Sequence, residues 1–141
     1  MENICIHYQD IQFKLPDKTK TLSWILETIK SKGKECGDIN IIFCSDEFLL
    51  NINKEYLHHD YYTDIITFDH SDNPDFLESD IYISVDRVKE NAIEYDISFI
   101  DELHRVMIHG VLHLLGLNDK TKSEKEEMRK IEDHYLALRQ F

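Results

Sequence analysis

The stretch Ile108 to Lys120, IHGVLHLLGLNDK, constrains this chain more than any other. His109 and His113 stand four apart. On a helix that spacing stacks both imidazoles on one face with Cβ atoms roughly 5–6 Å apart, close enough to share one metal ion through their ring nitrogens. Gly116 suits the left-handed position that ends many helices, and the turn it permits swings Asp119 back toward the histidines. The pattern is H-x3-H-x5-D. Around this helix Ile100, Leu103, Met107, Val111 and Leu114 lie on one side, with Ile108, Leu112 and Leu115 on the flanks. A helix apolar almost all round is a buried one. Both imidazoles are therefore expected inside the protein, where a polar group left unpaired costs about 1–3 kcal/mol. Each is either a satisfied core histidine or a metal ligand, and the paired spacing followed by glycine and a carboxylate favours the metal.

Two imidazoles and a carboxylate suit zinc, and three protein ligands leave the fourth position to water, as in catalytic sites. Iron, nickel and manganese accept the same donors. Water on zinc ionises near neutral pH and attacks carbonyl or phosphoryl centres, so the expected chemistry is hydrolysis. Zinc peptidases of the H-E-x-x-H pattern place their general base directly after the first histidine. Here that residue is Gly110.

His109-Gly-Val-Leu-His113-Leu-Leu-Gly116 resembles the H-G-x-L-H-L-x-G-Y-D-H signature of the YbeY-type endoribonucleases, ribosomal RNA maturation factors. The match departs after Gly116, where Leu117-Asn118-Asp119 replaces Tyr-Asp-His. The third ligand is then a carboxylate, whose negative charge makes the metal a weaker Lewis acid and raises the pKa of its water. Asn53, Tyr56, Thr63, Asp64 and Phe68 follow the family's L-N-x-x-Y-R and T-D/N-V-L-S-F motifs, and Ser79-Asp-Ile-Tyr-Ile-Ser84 its G-D-I-x-I-S. The likeness runs from about Asn53 to Met128. The family's arginine, implicated in activity, falls on Leu57, and a bidentate phosphate fork is lost there. Lys54, Arg87 and His58 are candidate substitutes. The loop His58 to Tyr62 either stacks bases or packs.

The resemblance implies a single-strand-specific, zinc-dependent endoribonuclease acting in ribosomal RNA processing, at the 3′ end of the small-subunit RNA, and in ribosome quality control. His109, His113 and Asp119 would hold one zinc ion. Ribosomal RNA and ribosome-associated proteins would be the partners. The alternatives are a non-catalytic ribosome assembly factor with a structural metal and a metallopeptidase-like hydrolase. Residue identity leaves the catalytic acid and base unassigned.

The net charge of −12 is unusual for an RNA-binding protein, which ordinarily presents a basic stripe. Residues 1 to 35 carry six Lys against five acids, a balance of +1, so the remainder carries −13. Contact with RNA must be local, metal-assisted or arranged by a partner. Lys30, Lys32 and Lys34 read as the solvated end of a helix, favourable against its dipole. Cys5, Cys36 and Cys44 are odd in number and form no C-x-x-C pair, and are expected to be reduced and mostly buried. No apolar run approaches the ~18 residues of a membrane span, and the start Met-Glu-Asn-Ile-Cys-Ile lacks a signal peptide's features, which points to the cytoplasm.

With 141 residues, one metal-dependent hydrolase-like domain spanning 1–141 is expected. Period-2 patterning predicts strands over Ile4 to Tyr8 and Ile11 to Phe13, over Asp38 to Cys44 and over Ser79 to Ser84, with YTDIITFD, Tyr62 to Asp69, as a central strand. Helices are predicted over Lys18 to Ser31, from Ser45 with an apolar stripe of Phe48, Leu49, Ile52 and Tyr56, over Val85 to Tyr95, from Ser98 through the histidines, and from a capping box at Ser123 onward. Trp24 reads as a packing anchor and His134 as a surface residue. The class is α+β: a mixed sheet of about four strands with packed helices, and a metal site at the end of the long buried helix.

Overall fold

The computed structural model describes residues 3–141; Met1 and Glu2, part of the N-terminal stretch considered above, lie outside the described residues. Alternation of branched apolar residues builds the centre. In β2 (Glu35–Cys44) Ile39, Ile41 and Phe43 point to one face, as do Ile81 and Ile83 of β4 (Phe76–Ser84). Cys44 and Tyr82 point to the other, as a two-residue period requires. β1 (Ile4–Gln9) pairs parallel with β2, β2 pairs parallel with β4, and β3 (Ile65–Asp69) pairs antiparallel with β4. The order across the sheet is β1-β2-β4-β3. A mixed four-stranded sheet with helices packed over it is the α+β arrangement expected.

Helix α1 (Lys18–Ser31) buries Leu22, Trp24, Ile25 and Ile29 on the first face. Trp24 is the anchor its size suggests: its indole donates to the Tyr135 carbonyl at 2.8 Å. On the same face lies α4 (Phe99–Leu114), with Leu103, Met107, Ile108, Val111 and Leu112 essentially inaccessible. α2 (Asp46–Leu57) covers the opposite face through Leu49, against Cys44 and Ile66. α3 (Val85–Glu94) and α5 (Lys122–Ala137) flank α4, and α5 buries Met128, Tyr135 and Leu136.

The caps follow from short-range chemistry. Ser45, Ser84 and Ser98 each accept a hydrogen bond from a backbone N–H three residues on, at 3.1 Å. Gly116 sits at φ +100°, its N–H donating to the His113 carbonyl at 3.0 Å and that of Leu117 to Leu112 at 3.1 Å. This is the glycine-dependent exit predicted for the long helix.

Several expectations are corrected. The segment Tyr62 to Asp69 does not supply a central strand: only Ile65–Asp69 is extended, and it is the sheet's edge. Its continuous apolar look comes from being sandwiched between helices, with Ile65 against α4 and Ile66 toward α2. Ile11 to Phe13 forms no strand; Phe13 instead packs edge-on against Phe43 and Phe99. The last helix starts two residues early, with Thr121 and Glu124 making the reciprocal capping box. Tyr56 leaves the α2 stripe and is 59 % exposed, its place taken by Asn53, whose amide donates to the Tyr61 carbonyl. Of the three cysteines only Cys44 is buried, its thiol pushed up to about 12 by that burial, whereas Cys5 is exposed. No helix among the described residues is long and apolar enough to cross a membrane.

Candidate active site

Helix α4 presents His109 at the edge of the core because Gly110 lets β3 come close. A Cβ at position 110 would stand 2.6 Å from Ile65 Cδ1 and 3.5 Å from Thr67 Cγ2. The position after His109, where a zinc peptidase of the H-E-x-x-H pattern carries its glutamate, is turned against the sheet, and only glycine fits there without displacement. Pressed together, α4 and β3 form one wall of a cleft. The exit loop after Gly116 forms another.

A hollow of ≈ 280 Å³ is lined by Thr63, Asp64, Ile65, Thr67, His109, Gly110, His113 and Asp119. The three residues singled out from sequence, His109, His113 and Asp119, therefore line one cavity. Asp119 Oδ2 lies 3.3 Å from His109 Nε2, the return of the loop that Gly116 was expected to allow. His113 departs from expectation: it is exposed, not buried, one residue before the end of the helix. Among the described residues no group of three His, Cys, Asp or Glu side chains is gathered tightly enough to ligate an ion.

The donors that line the cavity, two imidazoles and a carboxylate, are nonetheless of the kinds a divalent metal takes. His109 Nδ1 donates to Glu132 Oε2 at 2.7 Å, and Glu132 Oε1 accepts from Arg105 Nη1 at 2.9 Å. A histidine whose Nδ1–H is held by a carboxylate presents Nε2 with a free lone pair in a defined direction, the usual preparation of a metal-binding imidazole. Nε2 faces Asp119 across the cavity. Hydrogen bonding to the Glu132 carboxylate raises the His109 pKa, against the lowering effect of burial.

A larger cleft of ≈ 420 Å³ shares Asp64, Ile65, His109 and Asp119 with the first and extends between α4 and α5. Glu102, Arg105, Lys125, Arg129 and Glu132 also line it. Burial raises the carboxyl pKa of both Asp64 and Glu102. Asp64 accepts a long hydrogen bond from the Asn91 amide, 3.4 Å.

Glu132 was not singled out from sequence. Its signal was a charged residue one helical turn beyond Met128, on the apolar stripe of α5, where a carboxylate is buried only with a partner. The proposed substitutes for an arginine at position 57 lie elsewhere. Lys54 pairs with Asp60 at 3.4 Å; Arg87 is clamped by Asp46 at 2.6 Å and Glu90 at 2.9 Å; His58 is the left-handed cap of α2. None of the three lines either cavity. In the tyrosine loop, Tyr61 stacks on His59 with centroids 5.2 Å apart, and Tyr62 packs beneath Arg87 while hydrogen-bonding Glu47.

Comparison with known proteins agrees with this architecture. The chain is 48 % identical over 140 residues to the endoribonuclease YbeY of Cytophaga hutchinsonii, covering 99 % of this chain and 98 % of that protein. It is 48 % identical over 138 residues to that of Bacteroides thetaiotaomicron, covering 96 % and 100 %. The solution structure of TM1509 from Thermotoga maritima superposes with a TM-score of 0.63 at 26 % identity, over 94 % of this chain and 89 % of that one. The sequence profile described as Endoribonuclease YbeY matches residues 3–139, and with identity of this extent the chain belongs to the YbeY endoribonuclease family.

Proposed function

We propose that residues 1–141 act as one metal-dependent hydrolase unit, a cytoplasmic endoribonuclease that cuts single-stranded RNA during ribosomal RNA processing and ribosome quality control. The observation that carries this reading is the His109 imidazole, held by Glu132 at Nδ1 with Nε2 turned to Asp119 in a cavity that His113 also lines. His109, His113 and Asp119 would hold one zinc ion. Bound there, zinc supplies a Lewis acid for a phosphodiester and activates water for its hydrolysis. The protein's own part is to orient His109 through Glu132 and Arg105, to keep the α4 and β3 walls in contact through Gly110, and to shelter Asp64 and Glu102 beside the reaction zone. Relatives named as endoribonucleases, matched over nearly their whole length, support RNA as the substrate.

Metal content per chain, measured by elemental analysis on protein purified without a metal-binding tag, tests the site. Near-stoichiometric zinc in the wild type and clear loss in Asp119→Ala are expected. Cleavage of single-stranded RNA should disappear in a folded His113→Ala variant. A metal-free chain cutting RNA as well as the loaded one would refute the metal's role. Two features favour a second reading, a ribosome assembly factor in which the metal only stabilises the fold: Leu57 and a net charge of −12 both disfavour grip on RNA. That reading predicts ribosome co-sedimentation without cleavage.

A further inference from the structure

The ≈ 420 Å³ cleft is lined by four carboxylates, Asp64, Glu102, Asp119 and Glu132, and by three cations, Arg105, Lys125 and Arg129. A polyanion entering it needs a cation that is not already engaged. Arg105 is engaged, by Glu132 at 2.9 Å and Asp133 at 2.6 Å. The chain's other arginines are similarly committed away from the cleft: Arg87 to Asp46, and Arg139 to Asp101 at 3.0 Å and to His104. Among the described residues Arg129 is the only arginine that makes no ion pair, and Lys125 makes none either.

Their placement on α5 follows from the helix period. Met128 and Glu132 are buried and pin that helix against α4, while Lys125 and Arg129, one turn apart, are exposed and line the cleft. A guanidinium presents two parallel N–H donors that match the free oxygens of a phosphodiester; an ammonium adds a point charge. In a protein whose overall charge repels RNA, such a local pair is also what would draw the backbone in.

We infer that Arg129, assisted by Lys125, binds the phosphate backbone of single-stranded RNA in the cleft beside His109, the grip that Leu57 cannot provide. This rests on the endoribonuclease reading and specifies how this chain holds its substrate. The competing role is neutralisation of buried Glu102, toward which Arg129 exerts a favourable charge interaction. That role touches stability and not RNA.

Fluorescence anisotropy of a labelled single-stranded RNA oligonucleotide on metal-free protein, across a range of salt, separates the two without relying on turnover. Arg129→Ala should weaken binding about tenfold, the worth of a charge-assisted contact. The slope of log affinity against log salt should fall by about 0.7, one phosphate contact on a single strand. Arg129→Lys should keep the slope and lose part of the affinity. Lys130→Ala removes the same charge from the same helix outside the cleft and should leave binding near wild type. Zinc content and thermal midpoint should be unchanged throughout. Arg129→Ala binding like Lys130→Ala, or losing affinity only together with stability, overturns the inference. If the wild type cuts RNA and Arg129→Ala is indistinguishable from it in affinity and slope, this inference alone falls. If the wild type neither binds nor cuts RNA, the endoribonuclease reading falls and takes this one with it.

Discussion

Two histidines five residues apart on α4 meet opposite fates. His104 is buried against Trp24 and Phe141, each ring centroid 5.5 Å away, and its Nδ1 accepts from Arg139 Nη1 at 2.8 Å. Burial, then the Arg139 charge, lower its pKa from 6.5 to about 4, so it stays neutral. His109 keeps a side open to the cleft, and its Nδ1 donates to the Glu132 carboxylate, which raises its pKa. The same ring on the same helix is a packing residue facing a cation and a ligand-ready residue facing an anion. What differs is the partner that α5 and the C-terminal segment bring to each Nδ1.

The largest effect that would sharpen this contrast is on metal. His109→Ala should lose zinc affinity well beyond the roughly 10–100-fold cost of removing an outer-sphere partner, with RNA cleavage lost alongside, whereas a His104 variant should retain full zinc content. Elemental analysis of both decides it; a zinc-free His104 variant would erase the distinction.

Acid stability should reveal His104 next. Its unfolded form takes up a proton below about pH 6.5 and its folded form only near pH 4, so stability is intact above pH 6.5 and is lost as pH falls from 6.5 toward 4. The loss amounts to about 3 kcal/mol. Urea midpoints at pH 7 and 4.5 should converge in His104→Phe relative to wild type. His109 acts with the opposite sign: its raised folded pKa contributes stability below pH 6.5 that is lost as pH rises through the folded value.

Smaller still, Glu132→Gln should weaken zinc binding about 10–100-fold while leaving the proposed ligands His109, His113 and Asp119 in place. Competition against a chromophoric chelator measures it, and unchanged affinity would remove Glu132 from the site. Gly110→Ala should cost about 1 kcal/mol, the low end of overpacking, because the atom it meets is the flexible end of Ile65. Chemical denaturation reads that change directly.

Local features were legible because their causes are local. The boundaries of α1, Lys18 to Ser31, follow from Pro16, the apolar spacing and Gly33, and the exit of α4 follows from the backbone freedom of Gly116. The cavity shared by His109, His113 and Asp119 was anticipated because i, i+4 spacing and a three-residue loop span only short stretches of chain. The place of β3 at the sheet edge was not, since an apolar run reads alike whether a strand or a helix covers its open side. Nor was the exposure of His113, which depends on what the fold packs against the last turn of α4.

By itself the sequence determined most of the helix faces, the caps at Ser45 and Ser98, the α+β class and which residues are candidate ligands, all consequences of periods and contacts within a few residues. Tertiary structure alone decided that Glu132, 23 residues away, would meet His109, that Arg139, 35 residues away, would meet His104, and that Arg129 would be left with its charge toward the cleft. Hydrogen bonds and ion pairs act over a few ångströms, so which charges meet depends on how the helices dock and cannot be read from their order along the chain.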